Sequence, residues 1–386
     1  MLMSWKVKDG VIGLADDFGR VLSLDYEGRL LFFSENGVTY RRTLLNRFIE
    51  LKIEDGKRIV REVPMDTAKS VVLDARSFFE KAIANHPPPG LNDRVYTLTE
   101  RINYDWLVRD AQAFTLIYGG GVPIVPPDQY FSLYLRYSEG CPWNKCSFCM
   151  LYPETVYRVK TLDDMSKQID SLLAVLGRGI ESRQSVFLGD ANAINTDTDL
   201  LIDVLALVKR RIGLPVYAFT DAFTTMKNKK IGDFIRMREN GLTRVYIGIE
   251  SGDQYVLKLL NKPMDISGAR REIEDIKRAG IGVGVIVMSG AGGKALAREH
   301  VESTARFIAT LPLGKGDVVY ISPLREYEGS EYAKIASEKG LGIMSGSEKL
   351  DQAEDIRSEI KEIWIRKFSL PPEFQIAPYI LEESVY

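Results

Sequence analysis

Three cysteines stand within nine residues of one another, Cys141, Cys146 and Cys149, and the chain has no others. An odd, clustered set of thiols is not a disulfide framework. Three thiolates on one short loop can share one soft metal centre. Structural zinc and ordinary iron–sulfur clusters take four ligands. Here there is no fourth Cys, and the only histidines, His86 and His300, lie far away in sequence. Three ligands point to a centre with one open position, which is the design of a catalytic site. On the loop alone three readings stand: an iron–sulfur cluster, a structural zinc completed by a distant residue, and buried thiols without a metal.

Composition bounds the rest. The chain has 386 residues, 45% hydrophobic and 27% charged. That is ordinary for a globular protein with one large domain and one or two smaller ones. Lys and Arg number 51 against 53 Asp and Glu, a net charge of -2. A protein built to grip nucleic acid or an anionic membrane is normally more basic. The basic pieces Lys209-Arg210-Arg211 and 227–230 read as solvated helix faces, so no nucleic-acid partner is expected. The uncharged run 279–293 is glycine-rich and about 15 residues long, short of the roughly 20 that a membrane helix needs. Residues 1–9 lack a basic-then-apolar signal pattern. The expectation is a cytoplasmic protein with no membrane span.

The elements that must position the cysteines follow from the patterning. Residues 1 to about 60 read as a β-meander: short apolar runs separated by turn signals such as Asp9-Gly10 and Glu35-Asn36-Gly37. Helical periodicity follows over 66–85 and 98–117, with breaks at 86–90 and 119–127. After Pro127 strands and helices alternate. Strands are predicted at 131–137, 185–188, 215–219, 244–249, 282–288 and 318–321, and helices at 162–177, 197–211, 227–239, 265–279 and 296–310. Such alternation indicates a parallel α/β architecture. Six strands fall short of a complete eight-stranded barrel, which leaves an open doubly wound sheet or an incomplete barrel. A charged amphipathic helix is predicted over 348–367, then an irregular Pro-containing end over 369–386. Small and polar residues punctuate the same end of successive strands: Gly189-Asp190, Thr220-Asp221, Gly248 to Gly252, and Ser289 to Gly293. In α/β barrels that end carries the ligand.

The loop Ser138–Met150, with Phe148 just before the last cysteine, resembles the cluster loop of the radical S-adenosylmethionine (SAM) superfamily. It departs from the family in having four residues, not three, between the first two cysteines. The stretch 241–252 and the segment Glu299-His300-Val301-Glu302-Ser303-Thr304 resemble the branch that includes oxygen-independent coproporphyrinogen oxidases and methylthiotransferases. The resemblance covers about residues 130–330 and implies an incomplete (β/α)6 TIM-like barrel at 128–330. An N-terminal meander and helical accessory region would occupy 1–127, and a C-terminal helical extension 331–386.

It further implies that Cys141, Cys146 and Cys149 hold a 4Fe–4S cluster whose fourth iron binds SAM. Gly189 and Asp190 would meet the SAM ammonium group, with Asp190 standing where the family usually has Glu. Glu250 would contact its ribose or amino-acid part, Ser251 would help hold SAM, and the segment of Gly290 would pack against its adenine. An electron donor such as a ferredoxin or flavodoxin would reduce the cluster. SAM would be cleaved to methionine and a 5′-deoxyadenosyl radical, which abstracts hydrogen from a small-molecule or other unidentified substrate. All three thiols are then consumed, so none remains for a Cys-ligated auxiliary cluster, and no Asp-x-His-x-x-Gly segment marks a cobalamin domain. Rearrangement, dehydrogenation, decarboxylation, ligation and SAM addition remain. The competing classes are a zinc-stabilised α/β binding protein without turnover and an iron–sulfur electron-transfer protein.

Overall fold

A computed structural model describes residues 3–54, 57–85, 88, 90–327 and 329–381. The break expected at 86–90 lies largely outside the described residues, as does the end of the tail. The chain divides into two compact units, one made of 1–133, 166–185 and 381–386, the other of 134–165 and 186–380.

The first unit is built on the expected meander. Strands β1 (Met3–Lys8), β2 (Val11–Asp16), β3 (Val21–Asp25), β4 (Leu30–Glu35), β5 (Val38–Arg42), β6 (Phe48–Glu54) and β7 (Lys57–Glu62) pair antiparallel in sequence order. Alternation leaves Ile12, Leu14, Leu22, Leu24 and Phe33 on a buried face, where they meet Val71, Ala75, Phe78 and Phe79 of α1 (Met65–Asn85). The single helix predicted at 98–117 is two: α2 (Val95–Arg101) and α3 (Tyr104–Tyr118). Asn103 divides them, because its side chain accepts the backbone N–H groups of Asp105 and Trp106 and so caps the second helix. Below the sheet lies a buried ion network. Arg29 Nε donates to Asp110 at 2.8 Å and Nη1 to Asp25 at 3.1 Å, while Arg42 Nη2 reaches Asp110 at 3.2 Å.

The second unit carries the α/β pattern. Its sheet comprises β8 (Ser132–Arg136), β11 (Ser185–Gly189), β12 (Val216–Thr220), β13 (Leu242–Glu250), β14 (Gly282–Ser289), β15 (Val318–Pro323) and β16 (Gln375–Pro378) in that spatial order. A short ladder, β9 (Ser138–Glu139) with β10 (Arg158–Val159), stands apart from it. The ladders from β11 to β16 are parallel. Spatial order follows chain order without reversal, so the sheet winds one way as a barrel does; a doubly wound sheet would reverse at a switch point. This settles the alternative left open by the patterning in favour of an incomplete barrel. The seventh strand, β16, was not expected: it comes from the tail read as irregular.

The connecting helices are α5 (Thr198–Arg211), α6 (Thr225–Asn228), α7 (Ile231–Glu239), α8 (Gln254–Leu259), α9 (Ile266–Arg278), α10 (Ala297–Ile308), α11 (Glu331–Glu338) and α12 (Gly346–Phe368); α4 (Leu162–Leu176), between β10 and β11 in the chain, belongs mostly to the first unit. No helix among the described residues is long and apolar enough to cross a membrane. Aromatic rings from successive strands fill the sheet's inner face: Phe187 lies 6.3 Å from Tyr134, 5.1 Å from Phe219 and 6.0 Å from Tyr246. Tyr246 is thus a core residue.

One core position is at odds with its surroundings. Glu272 on α9 is 3% exposed, and neither carboxyl oxygen has a hydrogen-bond partner. Burial, with Asp221 and Asp275 adding repulsion, pushes it from 4.5 to about 9. The folded pKa is raised, so the stability linked to the protonated form is complete below about pH 4.5 and is lost as pH rises through 9. Glu272→Gln is expected to remove that slope and to be more stable than wild type at pH 8. The gain should exceed about 1.4 kcal/mol, the value of one pKa unit. Urea unfolding at pH 5 and pH 8 measures it; parallel pH profiles for the two proteins would refute it.

Candidate active site

The cysteine loop leaves β9 and folds over the C-terminal ends of the sheet. Gly140 and Asn144 both take left-handed backbone, with φ of 74° and 48°. Asn144 closes the longer first arm: its side chain donates to Tyr152 O at 2.6 Å and its N–H to Cys141 Sγ at 3.4 Å. The far side of the loop is tied to the end of α8. Ser147 donates through its N–H to Leu260 O at 3.0 Å and through Oγ to Leu259 O at 2.9 Å. Trp143 Nε1 donates to Asn261 O, and Asn261 Nδ2 to Lys145 O. Phe148 packs into an apolar cluster with Leu259, Met288 and Leu324, which explains an aromatic residue before the last cysteine as an anchor.

All three cysteines are free and half-buried. Burial pushes the Cys146 thiol up to about 12 and raises that of Cys149; in both, Cys141 and Glu250 add to the rise while Lys262 opposes it. Metal loading must therefore displace protons from these thiols.

The donor set fits an iron–sulfur cluster better than a zinc ion. A zinc site needs a fourth ligand. The one described histidine, His300, has both ring nitrogens engaged within the fold. Among the described residues no three His, Cys, Asp or Glu side chains converge as one ion would require. Three thiolates serving three different irons need not converge on one point.

Asp190 follows β11 and faces the loop. Gly140 N–H donates to Oδ2 at 3.1 Å, Arg136 Nε to Oδ1 at 3.3 Å, and the Tyr134 hydroxyl to Oδ1 as well. Burial still lifts Asp190 above its ordinary value, against those three partners. Its carboxylate thus fixes the residue that precedes Cys141. Gly189 has to be glycine, because a Cβ there would overlap the Tyr134 ring. At the next strand end Asn192 donates to Asp221 at 2.6 Å, and Trp143 of the cysteine loop meets Phe223 edge-on at 5.9 Å.

Glu250 ends β13 in left-handed backbone, φ 63°, beside a register shift between Gly248 and Glu250. Lys262 Nζ donates to its Oε1 at 2.7 Å, and both side chains are buried. Lys262 is held above its ordinary value: burial opposes this, but Glu250 and Cys146 outweigh it. A Cβ on Gly248 would lie 3.0 Å from Lys262 Nζ and closer still to Glu250 Oε1, so a side chain there would make the pair shift.

Ser251 points inward. His300 Nε2 lies 2.7 Å from Met288 O, and Nδ1 lies 2.8 Å from Ser251 Oγ. A carbonyl only accepts, so Nε2 carries the proton and the serine hydroxyl donates to Nδ1. Ser251 Oγ also accepts the Asp253 N–H at 3.0 Å. Both residues are wholly buried. The serine side chain, expected to touch a ligand, is committed to fixing the Glu250–Asp253 turn, and His300 is its positioning partner.

Burial lowers His300 below its usual 6.5. With a depressed folded value, its contribution is complete above about pH 6.5 and is lost as pH falls towards the folded pKa. His300→Ala leaves the Met288 carbonyl and the Ser251 hydroxyl unsatisfied. A loss of about 2 kcal/mol or more is expected above pH 7, narrowing at acid pH. Chemical unfolding at several pH values tests this, and a pH-independent difference would contradict the lowered protonation of His300 in the fold.

The fifth strand end is covered by the tail. Gly290 N–H donates to Gln352 Oε1 at 2.6 Å and Gly292 N–H to the Tyr332 hydroxyl at 2.9 Å. Lys349 spans the same turn, donating to Leu324 O at 2.8 Å and pairing with Glu326. The cysteines, Asp190 and Glu250 therefore gather at one mouth. Ser251 and the Gly290 N–H are engaged within the protein. Tyr134, Arg136, Lys262 and Gln352 are partners that patterning did not single out. Only Tyr134 and Arg136 carried a signal, since residues two apart on a strand share a face.

Residues 135–308 match the family model described as the radical SAM superfamily. No curated protein matches the chain. Among solved structures, methylornithine synthase is similar at 17% identity over 64% of this chain and 70% of its own, with a TM-score of 0.43. Coproporphyrinogen III oxidase from Escherichia coli is similar at 15% identity over 65% of this chain and 56% of its own, with a TM-score of 0.43. The methyltransferase TsrM from Kitasatospora setae is similar at 15% identity over 56% of this chain and 41% of its own, with a TM-score of 0.42.

Proposed function

We propose, from the premise that this chain is a member of the radical SAM superfamily by its domain at residues 135–308, that it is an enzyme that cleaves SAM reductively to abstract hydrogen from a substrate. Members of this superfamily are enzymes that use a 4Fe–4S cluster and SAM. The cluster and SAM, when bound, supply methionine and a 5′-deoxyadenosyl radical from one electron and one SAM. Cys141, Cys146 and Cys149 would hold the cluster as thiolates. The backbone around Gly189 and Gly290, with Asp190 and Glu250, would form the SAM-binding end of the strands, and Ser251 would hold the Glu250 turn there from within.

The protein's own work is positioning and exclusion. Asp190 fixes the Gly140 N–H and thereby the start of the cysteine loop. Ser147 and Trp143 fix its far side. The Lys262–Glu250 pair places a cation beside the thiols. The aromatic interior formed by Tyr134, Phe187, Phe219 and Tyr246 keeps water from beneath the mouth. Electrons would come from a ferredoxin or flavodoxin of the cytoplasm. With every thiol committed, the reaction is a rearrangement, dehydrogenation, decarboxylation, ligation or SAM addition on an unidentified substrate.

The observation that carries the reading is the meeting of the three cysteines with the Glu250–Lys262 pair at the C-terminal strand ends. Its test is anaerobic reconstitution with iron and sulfide, reduction in the presence of SAM, and assay for 5′-deoxyadenosine. A colourless, zinc-containing protein without SAM cleavage would favour the binding-protein reading; a stable cluster that leaves SAM intact would favour electron transfer.

A further inference from the structure

We propose that the first unit holds a binding site for a small organic oxyanion, an apolar body about one ring in size that bears a carboxylate or phosphate group. The site is a cavity of about 300 Å³ formed by β4, β5 and the segment around Tyr130. That volume is at the low end for ligand pockets. Four arginines line it, Arg29, Arg41, Arg42 and Arg183, and no Asp or Glu does. Its apolar walls include Phe32, Leu44 and Phe131.

The arginines are not equivalent. Arg29 and Arg42 are already matched, two cations against the two carboxylates of Asp25 and Asp110. Burial nevertheless holds Arg42 below its ordinary value beside Asp110, the behaviour of a cation with too little negative charge around it. Arg41 faces the Tyr130 ring at 5.9 Å. Arg183 differs from all three: its Nε is buried with no hydrogen-bond partner, and no carboxylate pairs with it among the described residues.

A buried donor left unsatisfied is costly, more so on a charged group. An oxyanion in the cavity would neutralise the Arg183 guanidinium, whose planar fork matches a carboxylate or phosphate in two parallel bonds. The aromatic and aliphatic walls supply contact for an apolar body and a lower dielectric that strengthens the charge interaction. The site stands on the first unit alone and is independent of the chemistry assigned to the cysteines.

The test is isothermal titration of the full chain with phenyl phosphate, benzoate, inorganic phosphate and, as a neutral probe, benzyl alcohol. Phenyl phosphate or benzoate is expected to bind saturably at about 1 mM or tighter, and benzyl alcohol is expected not to bind. Arg183→Gln should weaken binding at least tenfold, Arg183→Lys less, with unchanged thermal melts showing that both variants fold. Cys146→Ala should bind like wild type. The proposal is overturned if no oxyanion binds, if the alcohol binds equally well, or if Arg183→Gln leaves the affinity unchanged. Inorganic phosphate binding as tightly as phenyl phosphate would also overturn it, since the apolar walls would then contribute nothing.

Discussion

Cys146→Ala is expected to yield a folded, colourless protein that forms no 5′-deoxyadenosine above background. Cys146 is the middle of the three thiols and the one most strongly affected by its surroundings, with burial holding it near 12 and Lys262 close enough to pull against that. A neutral methyl group in its place supplies no ligand for iron. Changes to outer-shell partners of a metal site already cost about 10–100-fold, so loss of a ligand should cost more. The fold should survive, because the loop is tied down by Ser147, Trp143, Asn144 and Phe148 and by no cysteine side chain acting as a donor. Iron content, visible absorption and 5′-deoxyadenosine are measured together, with far-UV circular dichroism as the control. Wild-type iron content in the variant would remove Cys146 from the ligand set.

Lys262→Met should carry the largest stability effect of any single substitution at the mouth. The Lys262–Glu250 pair is buried, and removing one member of such a pair costs about 3–5 kcal/mol because the other charge is stranded. Glu250 cannot turn to solvent easily, since its backbone is fixed beyond it by the Ser251–His300–Met288 chain. The double variant Lys262→Met with Glu250→Gln removes both charges and should recover most of the loss. Urea unfolding of the four proteins forms a thermodynamic cycle. A double variant no more stable than Lys262→Met alone would show that the charge pair is not the source of the cost.

Much of this arrangement is legible in the sequence. The meander and the six α/β strands follow from apolar runs bounded by glycine and asparagine turns, and the observed strands match the predicted ones to within a few residues. What failed were elements with no periodicity of their own. β16 is four residues long and ends in proline, and it is a strand only because β15 offers it an edge. The split between α2 and α3 rests on one side chain, Asn103, that competes for the backbone.

At the mouth the cysteines were readable because type and spacing together are rare. Lys262 was not, because a lysine after a turn asparagine carries no mark of burial. Ser251 and Gly290 illustrate the opposite limit: their positions were visible, but what their polar groups bond to depends on His300 and Gln352, 49 and 62 residues further along.

The contact between Gly290 and Gln352 also sets an order of events during synthesis. The glycine turn leaves the ribosome 62 residues ahead of its partner. At 5–20 residues per second the interval is roughly 3–12 s. For that time the Gly290 amide is without Gln352, while Gly292 waits only 40 residues for Tyr332, and the fifth strand end has not taken its final shape. A nascent chain stalled within α11 would therefore display the cysteine loop and the first strands of the sheet beside an unfinished turn, making protease sensitivity at residues 290–293 a clock for completion of the mouth.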